Sequence, residues 1–410
     1  MSDLPRNPRY ESLDVWRGIA CLTVTMLHGI AGYLSTPELE ARVRSEGGSI
    51  SEWLMVLGTR LWFGVPLFFV ISGYCIAGAA DSARRKPHPG LTFFWRRFRR
   101  IYPPLWAFLA ITAVVVALLP DAAIPGPNSE HARPLPRPTE LKPAQWFGSL
   151  TLTEEWRPYV GGPEKDYFAR QVWTLCYEEQ FYFVMGLIVL LARQWLFPLA
   201  AAISALVFLN VMDLNSLLGD QIGVNLNAYQ RPLPGCFFNG LWLAFAAGIS
   251  VYYRVNYATP IIRWSLDGLL LMGLFSSIRT LATPQVFNPN PSGWDFQANL
   301  TGHLIVAFAG ALLLGWLHSA DTKIANARIT APLRWSGRMC YSLYLVHGPV
   351  TALVQWNFYR WGITSPTAGL LITLPIATAA SLALSWVFHR TVESRFLNTP
   401  PKPIAAAADR

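Results

Sequence analysis

The chain has 410 residues, of which 52% are hydrophobic, 13% aromatic and only 14% charged, with a formal net charge of +9. Soluble domains carry roughly 25% charge; the shortfall and a mean hydropathy of +0.30 exclude a disordered chain and a coiled coil, both of which need more charge and fewer aromatics. Five scattered cysteines (Cys21, Cys75, Cys176, Cys236, Cys340), with no CxxC and no zinc spacing, argue against a disulfide framework and a metal site. What remains is an all-α, polytopic membrane protein. Its basic excess then belongs on cytoplasmic loops and not on a nucleic-acid face.

A membrane-spanning helix needs about 20 mainly apolar residues. Ten segments qualify, at residues 13–34, 56–79, 103–120, 173–192, 197–213, 237–254, 264–281, 300–318, 340–358 and 368–389. The first is no cleavable signal peptide, because it carries Asp14, Arg17 and His28 and lacks a short apolar core with an A-x-A site. With the N-terminus inside, about 20 of the 33 Lys+Arg fall on inner segments and about 6 on short outer ones. Both termini are therefore expected in the cytoplasm. The loop at 121–172 then lies outside: its first part is Pro-rich and extended, and its second, with Trp146, Trp156 and Tyr159, is expected to pack over the membrane domain. Residues 11–397 read as a single domain. The tail, 398–410, reads as disordered, with no soluble domain after it.

Ionisable residues inside a span are costly and are functional candidates by default. Arg17 and His28 stand eleven residues apart in the first span, which is three helical turns plus roughly 20°, so they share one face about 16 Å apart along the axis. Asp14 is one turn from Arg17. Each residue has a plainer reading: Arg17 as a snorkelling side chain, His28 as a hydrogen-bonding residue between helices.

FFWRRFRRIYPP at 93–104 places four arginines before Pro103 and Pro104, which suit a helix start. It reads as a positive-inside stop in contact with lipid headgroups, or as an anion cradle in which Arg97 and Arg100, one turn apart, grip phosphates. WTLCYEEQFYFV at 173–184 opens the fourth span at the outer surface. Thr174, Glu178 and Tyr182 form a polar stripe beside an aromatic one of Trp173, Tyr177 and Phe181. This is either an interface belt with Glu178 and Glu179 in water or a carboxylate-bearing aromatic rim suited to sugars. CYSLYLVHGPV at 340–350 sets Ser342, Tyr344 and His347 in the ninth span, for helix packing or for a site. PLFFVISGYCIAG at 66–78 offers Ser72, Gly73 and Gly78 for close helix contact.

In this order the segments resemble the acyltransferase family 3 membrane proteins. LDVWRGIACLTVTMLH resembles the opening motif, with its Arg and His at Arg17 and His28. FFVISGYCI resembles the small-residue motif that follows, and RRFRRIYP the R-x-x-R motif, at Arg97 and Arg100. WTLCYEEQFY resembles W-S-L-x-x-E-x-Q-F-Y, at Trp173, Glu178, Gln180, Phe181 and Tyr182. CYSLYLVH resembles the late S-x-x-Y-L-x-H-type segment, and VESRF at 392–396 the short acidic stop. Thr174 stands where Ser is usual and Tyr74 where Phe is usual. The resemblance runs over residues 11–397.

It implies ten helices in a bacterial inner (plasma) membrane and transfer of an acyl group, usually acetyl. The donor implied is cytoplasmic acyl-CoA, acetyl-CoA in the simplest case, as a substrate and not a resident cofactor. The acceptor implied is a hydroxyl of an exported or cell-surface carbohydrate or glycolipid. His28 is implied as the catalytic residue, acting as general base or through transient acylation. The expected roles are then Arg17 orienting the donor, Arg97 and Arg100 on its phosphates, and Glu178 positioning the acceptor or supporting the histidine. Trp173, Gln180, Tyr182, Ser72, Tyr344 and His347 are expected to bind the acceptor or support the site. A transporter or lipid flippase without covalent chemistry is the competing class; the absence of an inverted repeat weighs against it.

Overall fold

The computed structural model describes residues 10–30, 42–118, 138–157, 167–211, 240–282 and 300–397. Among these residues there is no strand, and helix covers every segment expected to span. The helices are α1 (Leu13–Ile30), α2 (Ile50–Gly58), α3 (Gly64–Ala83), α4 (Pro89–Leu118), α5 (Trp173–Leu191), α6 (Leu196–Val211), α7 (Leu241–Asn256), α8 (Pro260–Ala282), α9 (Leu300–Leu317), α10 (Ala331–Arg338), α11 (Cys340–Arg360) and α12 (Leu374–Thr391). A 3₁₀ turn at Thr59–Phe63 joins α2 to α3. Seven helical stretches are long and apolar enough to cross a membrane by length and composition. The other three expected spans are α1, with Asp14 and Arg17 inside it, α7, only 16 residues long, and α11, with its polar run. The expected tail and most of the first half of the outer loop, with Tyr159, lie outside the described residues.

One expectation fails at α4. Pro103 and Pro104 do not start this helix; it begins at Pro89 and carries both prolines in its interior. Membrane helices tolerate such prolines because neighbours re-satisfy the freed backbone groups. Beside the interruption the Tyr341 hydroxyl donates to the Ile101 carbonyl at 2.8 Å. The four arginines are consequently helical. Arg97 and Arg100 turn toward the bundle while Arg96 and Arg99 stay exposed.

Small residues bring the central helices together. A Cβ on Gly73 would strike the Phe245 carbonyl, and one on Gly248 would strike the Val70 carbonyl, so α3 and α7 cross with their backbones in contact. Gly18 meets the Leu333 carbonyl and Gly337 meets the Asp14 backbone, which seats α10 against α1 in the same way. Phe69, Phe181, Trp242 and Phe245 fill the core behind these crossings.

Buried carboxylates fix the helix ends. Asp321 accepts from the backbone N–H of Glu11 at 2.6 Å and of Ser12 at 2.8 Å, holding the start of α1. Asp81, near the end of α3, receives Arg84 at 2.7 Å, Arg85 at 2.8 Å, Tyr252 at 3.0 Å and Tyr257 at 2.7 Å. An acid in a last helical turn opposes the helix dipole, and the two arginines offset it. Glu393, in the VESRF segment, takes the Ser342 hydroxyl and His389 Nδ1, the latter at 2.8 Å, and so ties the end of α12 to the start of α11. A short helix at Pro143–Thr151 packs on α4: Trp106 Nε1 donates to the Leu150 carbonyl at 2.9 Å. Trp146 lies 5.0 Å from Phe168, ring to ring.

Candidate active site

Helices α1, α3, α5 and α11 line two cavities, and α4 adds Arg97, Arg100 and Ile101 to one of them. Each holds roughly the same empty space, mouth included: about 550 Å³ for one and about 540 Å³ for the other. Phe68, on α3, lines both and is the only described side chain to do so. The helical repeat explains why one set of helices serves two chambers. Residues on one face recur every three or four positions and descend about 1.5 Å per residue, so a single stripe passes from one cavity into the next. On α1 the stripe is Arg17 in one chamber and Ala20, Cys21, Val24 and His28 in the other. The shared face read from the eleven-residue spacing is therefore present.

The first chamber is cationic. Arg17, Arg97 and Arg100 line it together with Ser72, Cys75, Glu178 and Tyr182. Arg17 is held from two sides, with one nitrogen on Asp14 at 3.1 Å and another donating to Cys75 Sγ at 2.9 Å. It is thus paired with a neighbour on its own helix and one on α3. The Arg97 guanidinium lies over the Tyr182 ring, 5.2 Å from its centre, a cation–π placement that keeps the charge facing the cavity. Tyr182 donates to Glu178 Oε2 at 2.9 Å and sits 3.1 Å from the Ser72 hydroxyl.

Glu178 stands elsewhere than the sequence suggested. It is only 5% exposed and lines the arginine chamber, not an outer rim in water. The reason is depth along α5. Trp173 and Thr174 open into the second chamber, and Glu178 and Tyr182, one and two turns on, have passed into the first. Glu178 Oε2 is satisfied while Oε1 is buried without a partner.

The second chamber is nearly neutral and aromatic. His28, His347, Gln171, Thr174, Trp173 and Tyr344 give it its polar and aromatic groups. The His28 and His347 rings lie 5.1 Å apart, centre to centre, tilted by 57°. His347 Nδ1 is 2.9 Å from the Leu343 carbonyl. Thr174 donates to the Tyr344 oxygen at 2.9 Å, Tyr344 donates to the Gln171 carbonyl, and the Gln171 side chain donates to the Leu345 carbonyl at 2.8 Å. The Gln355 side chain donates to the His28 carbonyl, fixing the end of α1 against α11.

Of the expected site residues, the structure gathers Arg17, Arg97, Arg100, Glu178, Ser72 and Tyr182 into one chamber, and His28, Trp173, Tyr344 and His347 into the other. Gln180 lines neither; it is buried and donates to the Cys176 carbonyl at 3.0 Å. Phe181 belongs to the core and not to a rim. Sequence reasoning missed Cys75, Gln171 and Phe68. Cys75 and Phe68 lie on the α3 face that continues Ser72, a stripe visible at spacings of three and four. Gln171 precedes its helix and gives no periodic signal.

An aromatic bundle with an arginine-lined chamber and a histidine chamber, built on helices long and apolar enough to cross a membrane, defines an integral membrane protein. A family profile described as an acyltransferase domain matches residues 10–390, nearly the whole chain. The chain belongs to that acyltransferase family. It is 22% identical over 358 residues to the peptidoglycan O-acetyltransferase OatA of Listeria monocytogenes, covering 83% of this chain and 51% of that protein. It is 23% identical over 408 residues to the O-acetyltransferase OatA of Staphylococcus aureus, covering 96% of this chain and 57% of that protein. With the putative peptidoglycan O-acetyltransferase YrhL of Bacillus subtilis it shares 25% over 316 residues, 71% of this chain and 44% of that protein. The chain spans about half the length of these curated relatives. No solved structure matches it.

Proposed function

We propose that this protein is a membrane O-acetyltransferase. It takes an acyl group from a donor seated in the arginine chamber and passes it to a carbohydrate hydroxyl presented at the histidine chamber. The observation that carries this reading is the pair of chambers that share Phe68 and four helices, one holding Arg17, Arg97 and Arg100 and the other His28. Three guanidinium groups suit the polyanionic end of acyl-CoA, which is the donor proposed, entering from the cytoplasmic side. Arg97 and Arg100 hold its phosphates through bidentate hydrogen bonds. Arg17, paired with Asp14, orients the acyl end and offsets charge developing on the thioester oxygen.

The acceptor proposed is the glycan of peptidoglycan, the substrate in the printed names of two of the relatives. Trp173 and Tyr344 offer aromatic faces, and His28 is the general base. In the transfer the hydroxyl proton passes to His28 and the hydroxyl oxygen bonds to the acyl carbon. The bond from that carbon to the leaving sulfur breaks, and the sulfur then takes the proton from His28. Glu178, placed among the arginines, serves the donor side of this scheme and not the acceptor.

The test is release of coenzyme A from acetyl-CoA by purified protein, with and without peptidoglycan glycan fragments, beside His28→Ala. The expected result is release that requires both the fragments and His28. Wild-type rates from His28→Ala would overturn the base assignment, and failure of the protein to bind acetyl-CoA would overturn the donor.

A further inference from the structure

His28 does not stand alone in its chamber, and the chemistry of its neighbour is fixed by a backbone group. His347 Nδ1 lies 2.9 Å from the Leu343 carbonyl. A carbonyl oxygen only accepts, so Nδ1 carries the hydrogen. In a neutral imidazole the other nitrogen, Nε2, is then a bare lone pair. That atom is enclosed by protein and has no hydrogen-bond partner. An acceptor buried in this way is costly unless a donor reaches it in the working state.

Two facts narrow the donor. Nε2 is closed off from the cavity, so a solute there does not reach it. The two nearby hydroxyl donors are already committed, Thr174 to Tyr344 and Tyr344 to Gln171, and the Gln171 amide is turned to the Leu345 carbonyl. The His28 ring is 5.1 Å away, centre to centre. An in-line N–H···N bond of about 2.9 Å between two imidazoles separates the ring centres by roughly 5.2 Å. The spacing of the two ring centres is therefore that of such a bond.

We propose that His28 and His347 form a catalytic dyad in which His347 is the positioning residue. His28 donates N–H to His347 Nε2, and its other nitrogen is the one that takes up the acceptor's proton. When that nitrogen takes the proton of the acceptor hydroxyl, the resulting imidazolium keeps its second N–H on Nε2 of His347. The proton then leaves with the departing sulfur, and His347 ends as it began. The arrangement follows the general rule that a base is oriented by a third group, with a backbone-locked histidine in the place a carboxylate usually takes. The proposal rests on the reading of His28 as the base.

Its test has two arms. In the turnover assay with acetyl-CoA and peptidoglycan glycan fragments, His347→Ala is expected to lower kcat at least about tenfold with KM unchanged. His347→Gln is expected to restore most of the loss, because its amide donates to Leu343 and its oxygen accepts from His28. Adding His347→Ala to His28→Ala should cost nothing more. The second arm needs no turnover and uses the wild-type protein, labelled with ¹⁵N-histidine in detergent. His347 is assigned by the signal lost in His347→Gln. The expected spectrum shows Nδ1 protonated and Nε2 bare, coupled through a hydrogen bond to a His28 nitrogen. A protonated Nε2, no coupling between the two rings, or an unchanged kcat in His347→Ala would overturn the dyad. Full activity in His28→Ala would instead overturn the reading of the base beneath it.

Discussion

The two chambers are alike in size, share four helices, and differ in what they ask of those helices. The arginine chamber is held by charge: Arg17 is pinned by Asp14 and Cys75, and Arg97 lies over Tyr182. The histidine chamber is held by neutral hydrogen bonds that end on backbone carbonyls, from Tyr344, Gln171 and His347. One end is suited to grip a multiply charged group. The other is suited to move one proton in a dry, aromatic setting, where fixed dipoles act most strongly. Under the proposed function binding and chemistry fall to different chambers, and substitutions in the two should fail in different kinetic terms.

The sharpest way to break this division is His28→Ala. Turnover should fall about 10²–10⁴-fold, the usual share of a positioned base, while donor binding measured by titration stays at the wild-type level. A parallel loss of donor affinity would mean that the two ends are not separable. Next in size are Arg97→Ala and Arg100→Ala. Each removes charge-assisted hydrogen bonds worth about 1.5–3 kcal/mol, so donor Kd should rise on the order of 10–100-fold with kcat at saturating donor preserved. Arg→Lys at either position should rescue only in part, since a point charge does not replace a planar fork.

Gly248→Ala tests the frame and not the contents. Its added methyl meets the Val70 carbonyl and the Tyr74 amide, and overpacking of this kind costs about 1–3 kcal/mol. Thermal unfolding in detergent should come earlier, with the two kinetic terms falling together and not separately. The smallest effect is expected from Ser72→Ala. It removes one hydroxyl contact to Tyr182, about 0.5–1.5 kcal/mol, and should read as a modest rise in donor KM.

The helices themselves were legible because lipid-facing and core-facing residues are both apolar, so each crossing announces itself by length. The face shared by Arg17 and His28 was legible for a similar reason: periodicity is a local property. Depth was harder. Nothing in WTLCYEEQFY says that Glu178 lies beyond a partition that Trp173 does not cross; that depends on Phe68 of another helix. The start of α4 was misjudged because a proline pair marks a helix start in water and is tolerated mid-helix in a membrane bundle. Asp81 gives no signal of its own, and VESRF at 392–396 does not reveal what Glu393 holds, since their partners Tyr252 and Ser342 are distant in the chain.

Phe68 carries a consequence of another kind. A bilayer that stores an ion gradient must remain an insulator, and a continuous column of water through a protein short-circuits it. Phe68 lines both chambers, so an apolar ring belongs to the wall of each. Under the proposed transfer a small acyl group would have only to move past the edge of that ring, whereas a hydrated proton would have to shed its water to follow. A fold arranged in this way would pass on a covalent unit and leave the membrane voltage intact.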